Sequence, residues 1–364
     1  MRVAVVDPPA YTPPYDHSLS AALARRGVDV ELFTSRFRYG TVPAAEGYRR
    51  IECFYRRAPG SAALKAAQHP FDMLRLAAAL RRERRTPVHF QWLPVKVLDA
   101  ALVRRFPRPR VFTAHEMLPR SASAIVDAMD AVIAHTDAGR ARLVDALGAA
   151  PDKVHVIPHG AFDYLANQHD EVPIDPRAGD LDGRKVVLFF GLLRPYKGIE
   201  VLIEAFAGTP SDAVLLVVGM PRMPVEPLER FAADLGIGDR VRIVPRFVAD
   251  LEVPAYFRRA DLVVLPYRSI EHSGVLFTAL AFASPLVLTA VGGFVEFAEQ
   301  HGAARLVPPG DAESLRAAIV DLLADPAERA RLAAAARTAA ETHYSWDHAA
   351  ELTEALYGSL AGPE

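Results

Sequence analysis

The 364-residue chain contains a single cysteine, Cys53. One thiol forms no internal disulfide and leaves no cysteine-based metal site, which fits a reducing compartment. Although 51% of residues are hydrophobic, no run of eighteen apolar residues occurs, so no bilayer-spanning helix is expected. The opening MRVAVVDPP reads as a strand entering a loop; a signal peptide needs a longer apolar stretch, so the expected location is the cytoplasm. There is no internal repeat and no low-complexity tract. Neither sign of charge dominates, with 42 Lys+Arg against 44 Asp+Glu. A Gly-x-Gly-x-x-Gly fingerprint, a Walker loop, a His-Glu-x-x-His element and a nucleophile elbow are all missing, which argues against dehydrogenase and hydrolase chemistry. Asp180-Leu181-Asp182 has the spacing of a metal-binding Asp-x-Asp triad, but it follows no strand and reads as a solvated turn. No metal and no cofactor are expected.

The near-neutral total hides an asymmetry. Residues 1–170 hold 24 Lys+Arg against 17 Asp+Glu, and the remainder 18 against 27. Much of the positive excess lies between Arg49 and Arg110, including an Arg81–Arg85 cluster that follows an amphipathic stretch, Leu64–Leu80. A basic amphipathic helix suits an anionic membrane surface as well as water, so peripheral contact at the inner face of the membrane stays open. Nucleic acid is not expected, because no aromatic residues interleave with the basic run.

Apolar strand patterns recur at Val3–Val6, Val28–Phe33, Val88–Phe90, Arg110–Thr113, Ala131–Ala134 and Val154–Ile157. A second series runs Lys185–Phe190, Ala213–Val218, Val241–Val244, Leu262–Leu265, Pro285–Leu288 and Ala304–Val307. Helical patterns alternate with them, which predicts an α/β chain with two parallel sheets, each covered on both faces. The expected division is 1–168 for a first Rossmann-like domain, 169–184 for a polar linker, 185–345 for a second such domain, and 346–364 for a helix returning to the first. Two such domains would place a ligand cleft between them, at the carboxyl ends of the strands.

The segment Phe189–Gly198, FFGLLRPYKG, has the makings of an anion site. A strand stops at Gly191, Arg194 and Lys197 follow three residues apart, and a helical pattern opens after Gly198. Backbone N–H groups and a helix dipole favour negative charge there, while Arg offers a planar fork and Lys a mobile point charge. Downstream, Leu262–Leu265 ends at Pro266, and a polar loop carries Glu271. Ser273 then stands where an N-cap belongs, and Gly274 and Val275 open an apolar helix.

These segments resemble the retaining nucleotide-sugar glycosyltransferases of family 4, whose fold is GT-B, two Rossmann-like domains facing each other across a deep cleft. GLLRPYKGIEVLIEAF is similar to that family's Gly-x-x-x-x-x-Lys-Gly element, and EHSGVLFTALAFASPLVLTAVGGFVEF to its Glu-x7-Glu region. The resemblance covers most of 111–350. It implies transfer of a sugar from a nucleotide diphosphate to a hydroxyl acceptor (glycan, lipid-linked or small metabolite), without metal. Arg194 and Lys197 would hold the donor diphosphate, Glu271 would face the donor sugar, and the amides of Gly274 and Val275 would touch the distal phosphate. The chain departs from the family where a second glutamate usually grips the ribose: that position is Ala279. Topology places the nucleobase near Gly219 and Phe247. The resemblance also implies a catalytic His115, a cleft histidine near the reacting carbon that contacts the donor sugar or the acceptor, and on the acceptor side a proline-rich loop, Asp7 to His17, would present Tyr15, Asp16 and His17. A GT-B epimerase, a sugar phosphorylase and a non-catalytic nucleotide-sugar binder are the alternatives.

Overall fold

A computed structural model describes residues 1–361 except 39, 59, 83–85, 117, 169–171 and 271–272. The chain divides into two compact units, one of Met1–Gly160 with the residues from Tyr344 onward, the other Ala161–His343. Among the described residues no helix is long and apolar enough to cross a membrane.

The first unit is built on β1 (Arg2–Asp7), β2 (Asp29–Ser35), β3 (Arg49–Phe54), β4 (Val88–Phe90), β5 (Arg110–Thr113), β6 (Ala131–Ala134) and β7 (Val154–Val156). They form one sheet in the order β3-β2-β1-β4-β5-β6-β7, with every described pairing parallel. The apolar runs of β1 and β6, and all four residues of β5, are buried, as helices covering both faces of a parallel sheet require. The strand β3, RRIECF, shows no such run. It lies at the sheet edge, where Arg49 and Glu52 are exposed and Arg50 is half-buried, and no apolar pattern marks it in the sequence.

The C-terminal helix Trp346–Ala361 belongs to this unit and packs on helix Pro13–Arg25. Arg25 pairs with Asp347 at 2.7 Å and Arg26 with Glu354 at 2.6 Å. Deeper, the Tyr357 hydroxyl lies 2.6 Å from His89 Nδ1. Gly160 makes room for the Trp346 indole, since a Cβ there would sit 2.3 Å from the ring.

The second unit contains β8 (Lys185–Phe190), β9 (Ala213–Val218), β10 (Val241–Val244), β11 (Leu262–Leu265), β12 (Leu286–Thr289) and β13 (Ala304–Val307). Their order is β10-β9-β8-β11-β12-β13, again parallel. Both sheets therefore reverse direction beside their first strand, between β1 and β4 and between β8 and β11. Loops at such a reversal splay apart and leave room for a ligand at the carboxyl ends of the strands. The change of unit falls at Gly160 rather than at the expected 168, and the described part of the expected linker 169–184 belongs to the second unit together with 161–168. Arg246 reaches Asp175 at 2.6 Å, and Arg258 donates to the carbonyls of Ala166 and Gln168.

Candidate functional site

In the second unit, β8 ends at Gly191, and Pro195–Lys197 winds one turn before helix Ile199–Phe206. Three glycines let the switch-point loops close on one another. At Gly198 (φ 66°) a Cβ would lie 2.2 Å from the Pro266 carbonyl, and at Gly219 (φ 147°) 1.9 Å from the Gly191 carbonyl. Gly191 itself has φ 107°, and a Cβ there would meet Val275 at 2.8 Å and the Lys197 ammonium at 3.1 Å. Glycine is the residue that accepts both the positive φ and the close approach. So Gly191, Lys197 and Val275 meet at one point.

Lys197 is only 6% exposed. Its ammonium lies 4.8 Å from the Tyr267 ring centre and 5.8 Å from that of Phe189, and no described carboxylate pairs with it. Ring faces attract a cation but replace only part of its lost hydration. Burial pushes the amine from 10.5 down to about 8, with Tyr196 opposing and Arg194 adding to the fall. A buried cation without a counter-charge is held at a cost that an incoming anion removes. Arg194, at the start of the turn, is exposed and makes no described ion pair.

The facing helix is Gly274–Ala281. Ser273 stands at its N-cap, as the sequence predicts, yet accepts no hydrogen bond from the first turn; its hydroxyl turns to Tyr267 at 3.5 Å. The amides of the first turn are left without a side-chain cap, beside Gly191. Among the described residues beyond its own helix and chain neighbours, the nearest atom to a Cβ at Gly274 would be on the Phe162 ring, 3.9 Å away. Ala279 is fully buried in this helix, so the position of the family's ribose-gripping glutamate faces the interior. Phe247 follows β10 in a loop where Glu252 accepts from Arg246 and from the Ala249 amide. Glu271 lies outside the described residues. The exposed Asp180 and Asp182 form a turn in which Asp180 accepts from the Asp182 amide at 2.9 Å.

In the first unit the structure corrects one expectation. The proline-rich loop ends early, because Pro13 and Pro14 occupy the first turn of helix Pro13–Arg25, where a missing N–H costs nothing. Tyr15, Asp16 and His17 ride on that helix and are buried rather than presented. The Tyr15 ring packs against His115, His135, His159 and Trp346 at 4.5–5.5 Å. Asp16 faces Asp7, and His17 Nδ1 lies 3.1 Å from the Tyr48 hydroxyl. Both carboxyls are raised mainly by burial, Asp7 to about 6; Asp7 raises Asp16 further, while the hydrogen bond with Asp16 lowers Asp7, so Asp16 holds the proton of the pair.

His115 follows β5 and has both ring nitrogens engaged. Nε2 is 2.7 Å from Gln91 Oε1, and Nδ1 is 3.4 Å from His135 Nε2. Burial lowers His135 to about 4 and His89 to about 3, so both are neutral. His135 Nδ1–H donates to the Ile157 carbonyl, which leaves its Nε2 as the acceptor facing His115. Sequence reasoning missed Trp92 and Tyr11. Trp92 stacks on His115 (5.3 Å, 15°), donates to Thr12 Oγ1 at 2.8 Å, and carries the exposed Tyr11 edge-on. Its place two residues past β4, at the switch point, is the signal that could have found it.

Comparison with known proteins places this geometry. Residues 173–339 match the family described as glycosyl transferases group 1, and residues 15–161 match Glycosyltransferase Family 4. The D-inositol 3-phosphate glycosyltransferase of Rhodococcus jostii is 30% identical over 377 residues, covering 90% of this chain and 80% of that protein. The enzyme of the same name from Kineococcus radiotolerans is 28% identical, covering 94% and 89%. Sucrose-phosphate synthase from Thermosynechococcus elongatus has a TM-score of 0.78 at 21% identity, covering 99% of each chain. Anabaena HepE in complex with UDP and glucose has a TM-score of 0.75 at 19% identity, covering 99% and 100%. Two doubly wound units, an anion-ready switch point in the second and these matches agree: the chain belongs to glycosyltransferase family 4 and is a glycosyltransferase of the GT-B fold.

Proposed function

We propose that the chain transfers a sugar from a nucleotide-diphosphate donor to a hydroxyl of a sugar-phosphate-like acceptor, with retention of anomeric configuration and without a metal ion. The observation that carries this reading is Lys197, a buried ammonium with no described counter-ion, set beside Gly191 and an uncapped helix start. A diphosphate supplies what that place lacks. As the glycosidic bond stretches, charge grows on the leaving phosphate, and Lys197, Arg194 and the amides of Gly274 and Val275 stabilise it more in the transition state than before. They do the work that a divalent cation does elsewhere, which supports metal independence. Glu271 is assigned to the donor sugar and Gly219 and Phe247 to the nucleobase, all on the second unit. On the first unit, His115 is held in one orientation by Gln91 and His135, and Trp92 and Tyr11 offer ring faces on which an acceptor sugar stacks.

The relatives named for D-inositol 3-phosphate support a phosphorylated small acceptor. A membrane-associated acceptor is a second reading, favoured by helix Ala62–Leu80, which exposes Leu64, Phe71 and Leu74 near Lys65 and Arg75. The Arg81–Arg85 cluster falls partly outside the described residues. Incubation with a panel of nucleotide sugars, with and without D-inositol 3-phosphate, tests the function. Nucleoside diphosphate release that depends on the acceptor, with the product anomer matching the donor by NMR, is the expected result. Conversion of the donor with no acceptor present would point to an epimerase instead. Arg194→Ala and Lys197→Ala should each lower turnover by ~10²-fold or more in a donor-saturated assay; unchanged turnover in both would contradict the assignment.

A further inference from the structure

A recess of about 340 Å³ opens at the carboxyl ends of β2 and β3 in the first unit. Ser35, Arg36, Arg38, Glu52, Phe54, Tyr55, Arg56 and Lys65 line it, so four cations surround one carboxylate. No ion pair joins any of these described residues. Arg56 directs Nε to the Glu52 carbonyl at 2.6 Å, and Lys65 sits over the Tyr55 ring at 5.5 Å. Burial and then Arg38 hold the Lys65 amine below its usual range, so the cations work against one another.

The backbone around the recess is specially formed. The β2–β3 register slips between Thr34 and Ser35, so that Thr34 pairs with Glu52 but Ser35 with Phe54. Such a bulge twists an edge strand and re-aims its side chains. Tyr55, directly after β3, has φ 56°, a left-handed conformation that an aromatic residue rarely adopts. It is held there from several sides. Its amide donates to Asp72 at 2.8 Å and its hydroxyl lies 2.8 Å from His69 Nδ1. His69 in turn meets Asp99 at 2.6 Å, and both are fully buried. Strain kept in place by this much buried structure is a mark of a functional position. A smaller cleft shares Ser35 and Glu52 with the recess and continues to Ala10, Pro13 and Asp16. The recess therefore leads toward the loop that follows β1.

We infer that this recess, lined by first-unit residues alone, seats a phosphate ester of the acceptor, gripped by Arg36, Arg38, Arg56 and Lys65. A phosphate dianion meets guanidinium groups and an ammonium that no described carboxylate pairs with, and an uncharged sugar meets none of these needs. The inference rests on the transferase reading, and the test separates the two. Inorganic phosphate, D-inositol 3-phosphate and unphosphorylated inositol are titrated by calorimetry with UDP saturating, so that the donor site is filled. The wild type should bind both phosphates and not inositol, with affinity falling as salt rises. Arg38→Ala/Lys65→Ala and, as a second surface pair, Arg36→Ala/Arg38→Ala should weaken phosphate binding at least tenfold while UDP still raises Tm by the wild-type amount. Vesicles of phosphatidylinositol in phosphatidylcholine, against phosphatidylcholine alone, assign the phosphate to a lipid headgroup if they bind and the soluble phosphates do not. Absence of affinity for every phosphate ester, or affinity that both variant pairs retain, overturns the inference. Failure of UDP to stabilise the wild type would instead count against the donor reading.

Discussion

Diphosphate binding at Lys197 should take up a proton. Burial holds this amine at about 8 against an ordinary 10.5. The sign follows from which state holds more protons. Between those two values the folded, unliganded chain binds fewer protons than the unfolded chain, so its stability rises with pH across that window. A diphosphate reverses the preference, because it interacts with the ammonium and not with the neutral amine. If only the charged form binds, the competent fraction is about 0.9 at pH 7, 0.5 at pH 8 and 0.1 at pH 9. UDP binding should then draw about half a proton from buffer at pH 8, and its Kd should rise about tenfold between pH 7 and pH 9. A nucleotide phosphate completes its own ionisation near pH 6, below this window. Calorimetry in buffers of different ionisation enthalpy reads the proton directly, and Lys197→Met should abolish both the uptake and the pH slope. Proton-neutral binding from pH 7 to 9 in the wild type, or the same slope in Lys197→Met, would refute the reasoning.

Three further outcomes follow from the packing. Gly198→Ala should destabilise the protein by about 2–4 kcal/mol by denaturant melt, since the new Cβ combines positive φ with a backbone clash at Pro266; a loss under about 0.5 kcal/mol would contradict it. Ala279→Glu should lower stability by at least about 2 kcal/mol, because it buries a carboxylate with no partner, and should leave UDP affinity no tighter; tighter UDP binding would show that the position opens to the ribose. Trp92→Ala should raise the acceptor KM about tenfold, the scale of one lost ring–sugar contact, with the KM for the donor unchanged; equal effects on both substrates would assign Trp92 a general structural role.

The sequence reveals the fold where burial is one-dimensional. Strands such as VLFF and LVVL are apolar throughout because helices cover both faces of each sheet, and glycine at 191, 198 and 219 marks the turns beside them. What it conceals depends on partners distant in the chain. The edge strand β3 carries charges because one side is wet, so its residues read as loop. Pro13-Pro14 looks like a stiff loop, yet proline suits a first helical turn equally well, and only packing against His115, His159 and Trp346 decides that Tyr15 turns inward. The buried Asp7–Asp16 pair joins residues nine apart through a helix start that periodicity does not reveal. Arg194 and Lys197 were legible through spacing from Gly191. That Lys197 is enclosed and Arg194 open to water was not.

The most direct test is a crystal structure with UDP bound. The diphosphate is expected within hydrogen-bonding distance of Lys197 Nζ and the amides of Gly274 and Val275, with the Arg194 guanidinium turned onto it. A diphosphate bound elsewhere on the second unit, with Lys197 still enclosed by Tyr267 and Phe189 and touching no phosphate oxygen, would contradict that expectation.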